Sequence, residues 1–344
     1  MSNLPKHILV IRLSAMGDVA MTVPILRQLT KQYPTVKLTV LTRSFFTPFF
    51  RDIENVSVYA ADLKGKHKGV FGLYKLSREL KHLEFDAIAD LHNVLRSNVL
   101  KLFLNNKKYV QIDKGRQEKK ELISGKYFRQ LKTTHQRYAD VFSVLGFKLD
   151  MNSPSFPNPI ILSNETKEIV GDKNKPWVGI APFAAFKSKT YSRELIKEVI
   201  KSLSKTNTIL LFGGGSNEIK TLDTIESSYT NTINLAGKLS LDEELDVISS
   251  LDLMISMDSG NAHIAAMLGV EVVTLWGVTH PYAGFYPFNQ KPENALLADR
   301  KQFSLIPTSI YGNKFPEGYE EAINSITPQE IVLKAEKILQ KSLT

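Results

Sequence analysis

The chain has 344 residues, no cysteine and a formal net charge of +9. That length suits two α/β domains, and 43% hydrophobic with 23% charged residues is the balance of a globular chain rather than a disordered one. Without cysteine there is no disulfide framework, thiolate metal site or cysteine nucleophile. No stretch approaches the ~18 apolar residues of a membrane span, and the apolar run at residues 8–11 is too short for a signal peptide, so a cytoplasmic location is expected.

In chain order, residues 8–13 read as a strand, 14–18 as a turn and 19–33 as one helix with Pro24 in its first turns. Strands follow at 36–41 and 56–59, then a polar loop at 64–72 and an amphipathic helix at 73–83. A strand at 85–91 ends in His92 and Asn93, and a helix runs over 95–103. A strand at 109–112 leads into a basic segment and a helix at 134–145, closed by Gly146. Residues 151–159 are proline-rich and irregular, and the interdomain boundary is placed there.

Alternation restarts with a strand at 177–181. Ser192 is positioned to cap a helix over 193–203. A strand at 208–212 ends in Gly213, Gly214 and Gly215, with helices at 217–226 and 241–249 around a strand at 232–235. Strands at 251–257 and 270–277 flank the sequence DSGNAH (258–263) and a short helix stopped by Gly269. Thr327, Pro328 and Glu330 form a capping box with proline in the first helical position, starting the last helix. Strands alternating with helices imply parallel sheets with right-handed crossovers, here as two similar folds facing across a cleft.

The charge is uneven. Residues 101–137 hold eight Lys and three Arg against two Glu and one Asp, so +8 of the chain's +9 lies in one segment. Such a patch suits phosphates or an anionic lipid surface. No nucleic-acid-binding motif accompanies it.

Ligands of open parallel sheets sit at the carboxyl ends of strands, so three turns attract attention. Asp258 is placed to cap the next helix, and Ser259 and Gly260 offer backbone N–H groups at its start, an anion-binding end. Gly213 and Gly214 let the backbone approach a ligand closely, with Glu218 beyond them placed to accept ribose hydroxyls. The turn at 14–18 carries Asp18 at a helix start, where negative charge is favoured. Lys187 and Lys189 flank a loop after a strand end and are candidates for phosphate. Neither GxGxxG nor a Walker loop is present. A Ser259–His263–Asp258 triad is rejected because no GxSxG elbow exists and the serine and histidine share one short helix. No HExxH or Asp-x-Asp pair signals a metal.

ILVIRLSAMGD (8–18) with TVP (22–24), FDAIADLH (85–92) with Arg96 and Ser97, MDSGNAH (257–263) with TLWGVTHP (274–281), and ITPQEI (326–331) together resemble the ordered motifs of the lipopolysaccharide heptosyltransferases, glycosyltransferase family nine. The resemblance implies a GT-B architecture. Residues 1–158 would form an acceptor-binding Rossmann-like domain and 159–326 a domain for the sugar nucleotide. Residues 327–344 would form a C-terminal helix expected to pack back on the N-terminal domain. It also implies metal-independent, inverting transfer with ADP-heptose as donor and no cofactor. Asp18 falls on the family's catalytic base, and Lys189, with Lys187 beside it, on its phosphate-binding lysine. Glu218 lies near its ribose-binding acid. Asp258, Ser259, Gly260 and His263 fall on its nucleotide site, joined by Gly213 and Gly214. The expected acceptor side comprises Ser14, Gly17, His92, Asn93, Arg96 and the lysines Lys119, Lys120 and Lys126. The acceptor itself is expected to be an anionic glycolipid, reached from a peripheral position on the inner membrane. Two other readings remain, a nucleotide-sugar epimerase and a catalytically silent nucleotide-binding, membrane-associated protein.

Overall fold

The computed structural model describes residues 4–105, 107–158 and 160–341. Pro159, at the expected domain boundary, and the last three residues of the expected C-terminal helix lie outside the described residues. Two compact units are present. One takes in the chain up to Lys114 together with Lys132–Phe156; the other comprises Gly115–Leu131 and the chain from Pro157 onward.

In the first unit, β1 (His7–Ile11) is followed by α1 (Met16–Ala20) and α2 (Val23–Gln32), then β2 (Lys37–Thr42), β3 (Val56–Ala60), α3 (Gly69–Lys81), β4 (Ala87–Asp90), α4 (Leu95–Phe103) and β5 (Lys108–Gln111). All neighbouring strands are parallel, in the order β3-β2-β1-β4-β5. The single helix expected over 19–33 is two, because Pro24 stands in the first turn of α2 and has no N–H to continue a helix arriving from before it. α3 starts at Gly69, several residues before its expected start, so Val70 and Phe71 belong to a helix surface rather than a loop.

The next helix, α5 (Arg116–Ile123), lies in the basic segment; α6 (Thr134–Leu145) returns to the first unit, with the Thr133–Gln136 capping box at its start and Gly146 at φ 108° at its end. The second unit continues with α7 (Asn164–Val170), β6 (Trp177–Ala181), α8 (Arg193–Leu203), β7 (Thr208–Leu211), α9 (Ser216–Glu226), β8 (Thr232–Asn234), α10 (Leu241–Ser249), β9 (Leu253–Met257), α11 (Gly260–Met267), β10 (Val272–Trp276), β11 (Ala295–Leu297) and α12 (Pro328–Lys341). Its sheet is parallel, in the order β11-β10-β9-β6-β7-β8. The strands run to three to six residues, and the central ones, β1, β4, β6, β9 and β10, are almost wholly buried, as parallel strands covered on both faces must be.

Two expectations are corrected. α12 spends its apolar face inside its own unit: Ile331, Ala335, Ile338 and Leu339 enter the second core, against α8, β9 and β10. The middle of the basic segment, Gly115–Leu131, does not stay with the first unit. Leu122 and Leu131 are buried with Ala283, against Tyr282, Phe285 and Ile310, and the Leu131 N–H donates to the Tyr282 carbonyl at 2.9 Å. Apolar burial, not position along the chain, decides the membership of this segment. Leu122→Ala should therefore destabilise the second unit by about 2–5 kcal/mol, the range for a buried leucine truncation. Hydrogen exchange should rise around residues 282–285 and 310 while β1–β5 keep their protection. Exchange that rises in β1–β5 instead would refute this assignment.

Candidate functional site

Each sheet reverses its chain order once, between β1 and β4 in the first unit and between β6 and β9 in the second. At such a reversal the connecting helices leave to opposite faces, and the carboxyl ends of the two strands border a gap. The candidate residues gather at these two gaps.

In the first unit Arg12, 6% exposed, follows the end of β1. Its guanidinium donates from Nη1 to the Leu91 carbonyl just beyond β4 at 2.8 Å and pairs through Nη2 with Asp18 Oδ2 at 2.5 Å. Arg12 thus spans the gap and holds Asp18, the third residue of α1. The Ala15 N–H also donates to Oδ2, at 3.4 Å. Among the described residues both contacts of the Asp18 carboxylate fall on Oδ2, and its side chain is 29% exposed. The buried Tyr138 hydroxyl donates to the Asp18 carbonyl at 3.3 Å, anchoring the backbone from α6.

The partner strand ends on Asp90, which is fully buried. Its Oδ1 accepts the N–H groups of His92 and Asn93, both at 2.9 Å, and its Oδ2 accepts Gln111 Nε2 at 2.9 Å and the Tyr109 hydroxyl at 3.2 Å. A buried carboxylate is tolerable only when paired or saturated in this way. Its effect is to fix the turn carrying His92 and Asn93. Burial, with Asp90 beside it, pushes the Tyr109 hydroxyl up, so it remains a donor. His92 is lowered to about 4, chiefly by burial and then by Arg12 and Lys114, and is a neutral ring at physiological pH. Ser14 and Gly17 lie in the same turn as Asp18, and Arg96 is exposed in the first turn of α4.

In the second unit Lys189, beyond β6, and Asp258, at the end of β9, meet across the gap: Lys189 Nζ lies 3.0 Å from Asp258 Oδ2, with the side chains 13% and 10% exposed. The Thr279 hydroxyl, beyond β10, donates to the same oxygen at 2.8 Å. Asp258 is therefore not the helix cap expected for it. Ser259 occupies that position and makes no side-chain cap bond; its Oγ meets Ser256 Oγ at 3.1 Å. The first turn of α11 thus presents Gly260 and the following N–H groups without a side-chain acceptor, with buried His263 behind them. Lys189 is packed along the chain at Gly312, where a Cβ would lie 2.6 Å from Lys189 Cδ.

On the other side of β6, Glu218 in the first turn of α9 accepts the Gly214 N–H at 2.7 Å. A Cβ at Gly213 would come within 3.2 Å of Glu218 Oε2 and Phe183, whereas one at Gly214 would meet nothing within 4 Å. A side chain at Gly213 would thus crowd its neighbours, and Gly214 borders open space.

The structure separates some expected partners. Lys187 turns away from Lys189 to an exposed pair with Glu321 at 3.3 Å. Lys119, Lys120 and Lys126 belong to the second unit, not to the acceptor-binding domain expected for them. Lys119 is buried, its Nζ 4.2 Å from the centre of the Phe285 ring, which removes it as a direct acceptor contact. Lys126 pairs loosely with Glu121 at 3.8 Å, and Lys120 is exposed. Sequence reasoning passed over Arg12, Asp90 and Thr279. The available signal for Arg12 was a cation closing an apolar strand; Asp90 and Thr279 stood inside motifs already quoted. Among the described residues no group of three or more His, Asp or Glu side chains is placed to hold a metal ion.

Comparison with known proteins places this geometry. The chain matches the model of glycosyltransferase family 9 (heptosyltransferase) over residues 73–310. It is 25% identical over 285 residues to the lipopolysaccharide core heptosyltransferase OpsX of Haemophilus influenzae, covering 80% of each chain. Its fold is similar to that of the Escherichia coli ADP-heptose lps heptosyltransferase II, with a TM-score of 0.71, 20% identity and coverage of 98% of this chain and 100% of that one. It is also similar to a family 9 glycosyl transferase of Veillonella parvula, with a TM-score of 0.75, 21% identity and 98% coverage of both chains. The matched region holds Asp90, Lys189 and Asp258 with their surroundings, and the chain belongs to glycosyltransferase family 9, the heptosyltransferases.

Proposed function

We propose that the chain is an inverting, metal-independent heptosyltransferase that moves a heptosyl group from ADP-heptose to a lipopolysaccharide core acceptor, working peripherally at the cytoplasmic face of the inner membrane. Donor and acceptor are taken from the names of its relatives. The observation that carries the reading is Asp18, a partly exposed carboxylate at the gap of the first sheet, held through one oxygen by Arg12. In this reading the first unit binds the acceptor and the second the donor.

The acceptor hydroxyl attacks the anomeric carbon from the face opposite the diphosphate. The bond from that carbon to the β-phosphate oxygen breaks, ADP leaves, and Asp18 takes the hydroxyl proton. A hydroxyl is far less acidic than a carboxylic acid, so the proton moves late, when the sugar is already cation-like. The negative charge that develops on the departing diphosphate needs donors fixed in advance. Lys189 and the uncapped first turn of α11 supply them, and their presence supports a metal-free mechanism. Glu218 is assigned to the ribose hydroxyls, exchanging its bond to Gly214 for the ligand. Ser14, Gly17, His92, Asn93 and Arg96 are assigned to the acceptor, with exposed Lys120 and Lys126 as supporting charge.

Asp18→Asn should leave ADP binding nearly unchanged and cut turnover by ~10²–10⁴, the usual range for a general base. Turnover within a few-fold of the parent would remove Asp18 from the chemistry.

Lys189→Ala should weaken ADP more than adenosine, by roughly 10- to 150-fold, since a charge-assisted contact is worth ~1.5–3 kcal/mol. Part of that loss comes from the anion left behind at Asp258, so Lys189→Ala combined with Asp258→Asn should bind ADP better than Lys189→Ala alone. Equal loss for ADP and adenosine, read by calorimetric titration, would place Lys189 away from the phosphates.

A further inference from the structure

α3 and α4 pack together in the first unit, with the Tyr74 and Phe103 rings in T-shaped contact at 5.4 Å. Their surface is unusually apolar. Val70 is 59% exposed, Phe71 91%, Tyr74 49% and Leu102 71%. Scattered apolar residues need no explanation, but a cluster of large ones on adjoining helices marks an interaction surface.

The polar surroundings of this cluster have one sign. Residues 64–81 carry six Lys and Arg and a single acid, Glu79; α4 carries Arg96 and Lys101 and no acid. Glu79 is consumed locally, accepting the Tyr59 hydroxyl at 2.5 Å and His67 Nε2 at 3.2 Å and pairing with Lys66 at 2.7 Å. The lysine loop before α3 is built rather than loose. Asp62 accepts the N–H groups of Gly65 at 2.8 Å and Lys66 at 2.9 Å, and buried His67 accepts the Asp62 N–H through Nδ1 at 3.1 Å. The loop also sits tightly on the helix, since a Cβ at Gly72 would come 2.3 Å from the His67 carbonyl carbon. These bonds fix the backbone of the loop that carries Lys64 and Lys68 into the start of α3.

We propose that this α3–α4 face docks the first unit on an anionic bilayer, with Phe71 and Leu102 entering the acyl boundary and Lys64, Lys68 and Lys75 lying on the headgroups. Large apolar side chains ringed by cations are the combination that holds a helix in the membrane interface, and each lysine near an anionic leaflet adds to the attraction. The basic segment is a poorer anchor despite its charge, because Lys119 and Leu131 are buried in the second unit and the Phe128 ring, 41% exposed, carries the Arg300 guanidinium on its face. This surface deepens the peripheral placement proposed above and rests on it for its purpose.

The test uses the whole 344-residue chain and vesicles of phosphatidylcholine with or without phosphatidylglycerol, with neither donor nor acceptor present. The chain has two tryptophans, Trp177 and Trp276, both buried in the second unit, so an indole introduced by Phe71→Trp reports on the new surface. Its emission should shift to the blue on phosphatidylglycerol vesicles and be quenched by brominated acyl chains, while the parent protein's emission stays unchanged. Phe71→Ser with Leu102→Ser should lower vesicle partitioning by roughly tenfold or more, and Lys64→Glu with Lys68→Glu by roughly fivefold per charge, an effect that shrinks as salt rises. Lys120→Glu with Lys126→Glu should change it little. ADP binding, measured in parallel, reports folding and the donor site, so the docking surface can fail while the transferase reading stands, and the reverse. No spectral change for Phe71→Trp on either vesicle would overturn the proposal. So would loss of binding in the Lys120 and Lys126 variant alone, or a change of oligomeric state in the serine variant with vesicle binding intact.

Discussion

A parallel sheet whose chain order reverses once has a single place where its connecting helices part, and this constraint governs both units. At that place the strand ends are close, the backbone is leaving the ladder, and side chains from distant segments can meet. In the first unit the gap is spanned by one buried guanidinium. Arg12 holds the Leu91 carbonyl on one side and the Asp18 carboxylate on the other. The second unit uses an ammonium in the same topological position, with Lys189 from beyond β6 set against Asp258 from β9.

The two pairs differ in surroundings, and the difference suits different tasks. Asp18 remains partly exposed, with its contacts on one oxygen, as a carboxylate must be if it is to receive a proton from a bound hydroxyl. Lys189 and Asp258 are mostly enclosed and share Thr279. An enclosed pair of charges is poor evidence for stability in itself, because desolvation offsets much of the attraction. In the proposed reading its value lies in holding a cation at the strand end before any diphosphate arrives. An arriving anion would compete with Asp258 for Lys189 while Thr279 stays on the carboxylate, so the charge would be in place at the moment of reaction.

Much of this was legible in the chain, and the pattern of success has physical causes. The helices at 134–145 and 241–249 are read to the residue, and that at 95–103 closely, because caps, a closing glycine and the apolar period act within a few residues of one another. Local signals also misled. Asp258 beside a helix start looks like a cap, but Lys189 and Thr279 claim it from distant segments. α5 escaped because it is mainly charged and begins at Gly115 in a left-handed conformation. Its membership in the second unit depends on Ala283 and Ile310, which nothing near residue 122 announces. The same reason hid Asp90: its saturation by Tyr109 and Gln111 is a property of strand pairing, not of the motif around it. The charge run at 101–137 shows the limit of composition, which counts lysines without telling a buried one packed on Phe285 from those left in solvent.

The central proposal is that the chain performs an acceptor-dependent, inverting transfer, with Asp18 as the base and Lys189 and the start of α11 as donors to the diphosphate. The most direct test is to incubate the protein with ADP-heptose and a lipopolysaccharide core acceptor in excess EDTA, following ADP release and the anomeric configuration of the product by NMR. The account predicts ADP only when acceptor is present, no dependence on added metal, and a glycosidic bond of configuration opposite to the donor's. Retained configuration, loss of activity on chelation, or conversion of the sugar nucleotide without any acceptor would contradict it.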